Sequence, residues 1–233
     1  MHHVVVERWS RLDSFLHSLD ARVKFGALLV FLIAVSTTPV TAQLAFGAYA
    51  VLLAVAALGS RLPLTGLLSR AALVLPFTGT FALMTWWAGN PERALALAEK
   101  SFLSGFAALL LIGTTPLTKL VAGLDSLGAP RALLLVIQFL YRYLFVISEE
   151  AQHMRMAASS RMGSPVGGRR MAAGAVGVLF ARSSERAEGI YQAMLARGFQ
   201  GHYPMAAPPS IMPRDAIFFA STLVFCAAVR FAL

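Results

Sequence analysis

The sequence predicts an all-α, polytopic membrane protein, with about five transmembrane helices and a helical domain on the cytoplasmic side. Three features point there. Of 233 residues, 58% are hydrophobic and only 13% are charged, about half the roughly 25% charge of a soluble domain. The apolar residues gather in runs that supply about five or six crossings at about 20 residues each. The basic excess, 20 Lys and Arg against 11 Asp and Glu, sits in segments that alternate across the membrane as the positive-inside rule requires. A soluble enzyme of this length, a nucleic-acid-binding domain and a disordered tail are excluded.

The elements follow in order. The N-terminal 24 residues are polar and of mixed charge, without the short apolar core of a signal peptide. Apolar runs at 25–38 and 42–58 flank Pro39. They predict a hairpin of two short spans with Thr37, Thr38 and Pro39 near its turn, and Arg22, Lys24 and Arg61 snorkelling at the ends. A third span, 67–87, ends in Trp86-Trp87, residues suited to a membrane–water interface. After a polar loop at 88–100 comes a fourth span from about Ser101 to Thr114. A last span, 217–231, follows Pro213-Arg214-Asp215. Cys226 lies in it without a second cysteine and is read as a small membrane-facing residue.

Residues 116–203 read differently. The apolar run 132–147 is about 24 Å long as a helix, against a hydrocarbon core of about 30 Å. It contains Arg142, which costs about 2.5–3.5 kcal/mol at a bilayer centre and which Glu149, Glu150 or a lipid phosphate could neutralise. The economical reading is one helix from about Arg131 to Arg161, its front half shallowly embedded, ended by Ser164-Pro165-Val166-Gly167-Gly168. A second helix follows, with Ala187, Ile190, Tyr191, Met194 and Leu195 on one face, closed by Gly198 and Gly201. The segments therefore divide at 1–115 (N-terminal segment and four spans), 116–205 (cytoplasmic or membrane-surface helices) and 206–233 (final span). Arg8, Arg11, Arg22 and Lys24, Arg61 and Arg70, and seven Arg against four Glu in 148–203 put the N-terminus and the helical platform in the cytoplasm of a multi-pass inner-membrane protein, with Leu233 outside.

Much chemistry is missing from the sequence. There is no Walker-type phosphate cradle, so nucleotide hydrolysis is not this chain's work. The histidines, His2, His3, His17, His153 and His202, are scattered as surface or interface residues, and no metal or catalytic cluster is expected. The expected spans hold no carboxylate, which disfavours an ion-coupled carrier. What remains is a shared ending of the two platform helices: Ser160-Arg161-Met162 before Gly163, and Ala196-Arg197-Gly198. One reading is a routine helix C-terminus, with a left-handed glycine and a cation facing the dipole. The other is a pair of docking tips, each offering an arginine fork to carboxylates in a partner's groove.

At these residues the chain resembles the transmembrane (T) component of energy-coupling factor transporters, most closely the CbiQ-type subunit of cobalt importers. Residues 16–24 (LHSLDARVK) are similar to the family's opening signature, with Ala21 where proline is usual. Residues 115–120, 127–130 and 141–143 resemble the start of its coupling region, and 182–188 leads into a full second coupling motif at Ala196, Arg197 and Gly198. The first motif keeps Arg161 but has Ser160 and Met162 as neighbours.

The resemblance implies a non-catalytic subunit whose docking residues are Ser160, Arg161, Met162, Ala196, Arg197 and Gly198. It implies two cytoplasmic ABC ATPase partners carrying ATP and Mg, with no cofactor bound by this chain. It also implies a substrate-binding membrane (S) subunit, CbiM-like with a small CbiN-like companion, surrounding lipid and no nucleic acid. The implied cargo is cobalt. A nickel importer, a shared vitamin importer and a non-transport membrane scaffold are the alternatives.

Overall fold

The computed structural model describes residues 14–162, 169–201 and 212–232. All the regular structure among them is helical: α1 (Phe15–Ser18), α2 (Ala21–Thr37), α3 (Gln43–Ser60), α4 (Leu64–Ala71), α5 (Leu75–Trp87), α6 (Pro91–Thr114), α7 (Leu117–Ser126), α8 (Arg131–Met162), α9 (Arg169–Ala196) and α10 (Pro213–Ala232). A 3-10 turn at Ala72–Val74 joins α4 to α5. It lies where Pro76 has no N–H to give the carbonyl of Ala72, so the helix tightens before it resumes.

The chain forms two compact units, 1–127 with 207–233, and 128–206. The first is built around α6, which packs on α2, α3, α4 and α5, while α10 lies along α2 and touches α3. Its core holds Phe31, Val35, Phe46, Tyr49, Leu103 and Phe106, with Phe31 edge-on to Tyr49 at 5.6 Å. Small residues fill the contacts between helices, Ala34, Ala45, Ala57, Ala71 and Ala96 among them. Lipid is as apolar as leucine, so close backbone approach holds such a bundle together. Gly26 shows this: a Cβ there would lie 3.1 Å from the Phe219 ring.

The expected hairpin is present. Thr38 ends α2 and its hydroxyl donates to the Ala34 carbonyl at 2.7 Å, and the chain turns through Pro39 into α3. Other expectations are corrected. The fourth span does not start near Ser101. Proline suits the first turn of a helix and Glu92 complements its dipole, so α6 begins at Pro91 and runs 24 residues. The polar loop shrinks to 88–90, and Glu99 falls inside a helix long enough to cross. Cys226 is not lipid-facing but buried in the core beside Val229.

Four helices among the described residues are long and apolar enough to cross a membrane: Gln43–Ser60, Leu64–Trp87, Pro91–Thr114 and Arg131–Ser160. The last is the helix expected to lie shallow. Two expected crossings fall outside that group. One is α2, with 17 residues, about 26 Å of helix. The other is α10, which carries Arg214, Asp215 and Arg230.

The second unit is the pair α8 and α9, packed together. The expected single helix over 131–161 is one uninterrupted element. Glu150 of α8 pairs with Arg182 of α9.

Candidate functional site

The end of α9 is built by local rules. Gly198 has φ +78, a left-handed value that glycine reaches without a Cβ clash. Its N–H reaches the Leu195 carbonyl at 2.9 Å, and the Phe199 N–H reaches Met194 at 3.0 Å. Those two bonds form a Schellman cap, in which the turn past the helix satisfies carbonyls left without intrahelical donors. Ala196 is the last helical residue, and Arg197 stands between it and the glycine, exposed. Among the described residues the Arg197 guanidinium has no hydrogen-bond or ion-pair partner. The local chemistry of a routine C-terminus is thus present, and it leaves the arginine pointing outward.

At the other tip, α8 ends with Ser160, Arg161 and Met162. The exposed Ser160 hydroxyl donates back to the Met156 carbonyl at 3.0 Å. The side chains of Arg161 and Met162, together with Gly163, lie outside the described residues. So do His2, His3 and His202. His153 is exposed, and His17 shares a 2.7 Å hydrogen bond with Ser14.

Between α8 and α9 runs an apolar groove of about 620 Å³, lined by Phe139, Tyr143, Ile147, Leu179, Ile190 and Met194 among others. Arg182 and Arg186 border it. Of the three partners open to Arg142, Glu150 is taken by another arginine, Arg182. The Arg142 guanidinium lies 6.0 Å from the centre of the Tyr143 ring.

The sequence blocks at 16–24 and 115–120 meet in space, within the first unit. Lys24 is buried, and its ammonium donates to the Thr114 carbonyl at 3.1 Å and to the Thr115 hydroxyl at 3.0 Å. Asp20 caps α2 by accepting from the Arg22 N–H at 2.8 Å. Its own N–H donates to Asp215 Oδ1 at 3.1 Å, and Asp215 Oδ2 accepts from the Met212 N–H at 2.9 Å. One carboxylate therefore serves the starts of both α2 and α10. Composition and charge counts missed this contact of Lys24 and Asp215 through α2. A proline with an aspartate two places later marks a helix start, but nothing local names the distant partner.

Among the described residues no three His, Cys, Asp or Glu side chains are grouped to hold a metal ion. Such an arrangement suits binding and movement: stiff helices, an outward cation, a greasy groove and a fixed joint.

Comparison with known proteins agrees with that character. The family model described as CbiQ, cobalt transport protein, matches residues 13–206. An uncharacterized protein of Methanocaldococcus jannaschii is 23% identical over 97% of this chain and 85% of its own length. The cobalt transport protein CbiQ of Rhodobacter capsulatus is 31% identical over 64% of this chain and 66% of its own. The nickel permease LarQ of Lactiplantibacillus plantarum is 32% identical over 53% of this chain and 45% of its own. This chain belongs to the CbiQ family of cobalt transport proteins.

Proposed function

We propose that the protein is the membrane-embedded coupling (T) subunit of an energy-coupling-factor-type importer for cobalt. It passes motion from two cytoplasmic ABC ATPase subunits to a substrate-binding membrane subunit, CbiM-like with a CbiN-like companion. The observation that carries this reading is the tip of α9. A 28-residue helix ends on a left-handed glycine with Arg197 exposed beside it and, among the described residues, unpaired. A guanidinium fork held on a stiff element suits a carboxylate groove on a partner.

Arg161, at the end of α8, takes the same part toward the second ATPase. Ser160 and Met162 flank the first docking arginine; Ala196 and Gly198 flank the second. The groove between α8 and α9 supports contact with an apolar membrane partner, because exposed apolar surface of that extent marks an interaction site or lipid. In this reading the N-terminus and residues 116–205 face the cytoplasm. The chain is non-catalytic and binds no cofactor of its own; ATP and Mg belong to the ATPases. A nickel cargo is the second reading, favoured by the similarity to a nickel permease.

The test is purification in mild detergent with the ATPases encoded by the native host, followed by metal uptake in vesicles. The wild-type chain should bring two ATPase subunits with it and drive ATP-dependent uptake of cobalt. Arg197→Glu should insert normally and lose both. Undiminished co-purification and uptake in that variant would contradict the docking role. Nickel uptake without cobalt uptake would decide for the second cargo.

A further inference from the structure

In sequence, residues 128–206 follow Thr114, Thr115 and α7 and precede Met212 and α10. Both of these flanking stretches are tied to one turn of α2. In the first, the Lys24 ammonium holds the Thr114 carbonyl and the Thr115 hydroxyl. That carbonyl is the last of α6 and has no intrahelical donor, so the cation satisfies a helix end and faces its negative dipole. Just beyond, α7 lies against the same turn so closely that a Cβ on Gly123 would sit 3.5 Å from the Arg22 nitrogen. In the second, Asp215 accepts from Asp20 N and from Met212 N. Lys24, Asp20 and Asp215 are all buried.

A buried ionic group is a poor way to add stability, because a well-packed apolar pair does as well. It is a good way to fix geometry, since its bonds are directional and a slipped position leaves charges unpaired. We infer that Lys24 and Asp215 are positioning residues for energy coupling. They hold to α2 the two stretches of the first unit that flank residues 128–206 in sequence, Thr114–Thr115 and Met212–Asp215, so that movement of α8 and α9 meets a fixed frame in the spans. The inference rests on the coupling reading above.

The test uses the assembled transporter in lipid nanodiscs or vesicles and reads metal taken up per ATP hydrolysed, a ratio that corrects for the amount of folded complex. Lys24→Met should still co-purify with the ATPases and hydrolyse ATP, but its ratio should fall about tenfold. Thr115→Val, which removes only the hydroxyl acceptor, should lower the ratio about threefold and cover the case in which Lys24→Met folds poorly. Lys24→Arg can donate to the same two oxygens and should recover at least half of the wild-type ratio. Hydrogen exchange on the isolated chain gives a readout free of the ATPases: amides of α7 should exchange about tenfold faster in Thr115→Val, with those of α3 unchanged.

An unchanged ratio in Thr115→Val, or unchanged α7 exchange, would overturn the inference. So would equal losses in Lys24→Arg and Lys24→Met. If α7 exchange rises as expected but even the wild-type chain binds no ATPase, the coupling reading fails first and takes this role with it.

Discussion

The two units solve opposite problems. In residues 14–127 and 212–232 the polar groups at helix ends find partners within the unit. Lys24 finds the end of α6, Lys100 donates to the Ser36 and Thr38 carbonyls at the end of α2, and Asp215 joins the starts of α2 and α10. The antiparallel pair α2 and α6 is thus capped reciprocally by a lysine from each helix. In residues 128–201 the one helix end whose cap is described, that of α9, is closed by its own backbone and leaves Arg197 exposed, and the flanks are bare. Of the most apolar stretch of α8, 6% is buried, against 33% for α3. Bare apolar surface alone does not mark a partner site, for Leu64–Trp87 is only 11% buried and carries lipid-suited Leu73, Phe77, Leu83 and Trp87. The difference is charge. Between Arg70 and Glu92 that stretch has none, whereas the apolar groove of α8 and α9 is bordered by Arg182 and Arg186. A surface both greasy and cationic suits proteins better than hydrocarbon.

The strongest way to break this contrast is Arg197→Glu. If the guanidinium docks on a buried carboxylate, charge reversal should cost at least the about 2–5 kcal/mol of a broken interfacial pair, a loss of about thirtyfold or more in affinity for the ATPase. Quantitative co-purification checks it. Next comes Gly26→Leu in the self-contained unit. Phe219 occupies the space a larger side chain would need, and overpacking of this kind costs about 1–3 kcal/mol. A lowered unfolding midpoint in detergent should appear, without loss of ATPase binding by the folded fraction.

Smaller again is Gly198→Ala. A left-handed φ costs an L-residue about 1–2 kcal/mol, so the tip should fray and ATPase affinity should fall about fivefold to thirtyfold with the arginine still present. The finest comparison is between the tips. Arg161→Ala should weaken ATP-driven uptake less than Arg197→Ala, because the first motif departs at Ser160 and Met162 from the pattern the family resemblance implies. Equal losses would remove the ranking. At the bottom of the scale, Phe77→Ala, on the lipid-suited helix, should leave uptake and assembly unchanged.

Much of this was legible in the sequence, and the rest was hidden for identifiable reasons. The run from Arg131 through Ser148-Glu149-Glu150 has no glycine or proline, so its single helix could be read directly. Gly198 after Arg197 announced the cap that the backbone adopts. The placement of Cys226 could not be read, because protein-facing and lipid-facing positions are equally apolar in a membrane helix and periodicity does not separate them. The start of α6 was missed because Glu92, Arg93, Glu99 and Lys100 read as loop charges. In the structure Lys100 is spent on the end of α2, 62 and 64 residues away in sequence. The joint at Lys24 was hidden similarly: its partners lie 90 and 91 residues off, and Asp215 meets Asp20 across 195. Sequence alone counted Lys24 for orientation and gave Lys100 and Asp215 no partner. Their directional bonds appear only once the helices are packed.

The central claim is that the tip of α9 lies against an ATPase in the working transporter. A photo-crosslinking residue placed at position 197, in the chain expressed with its native ATPases, tests it directly, with the same residue at position 77 as the control. The account predicts adducts with an ATPase subunit at 197 and none at 77. Adducts confined to this chain or to lipid at 197, in a complex that still hydrolyses ATP and takes up metal, would contradict it.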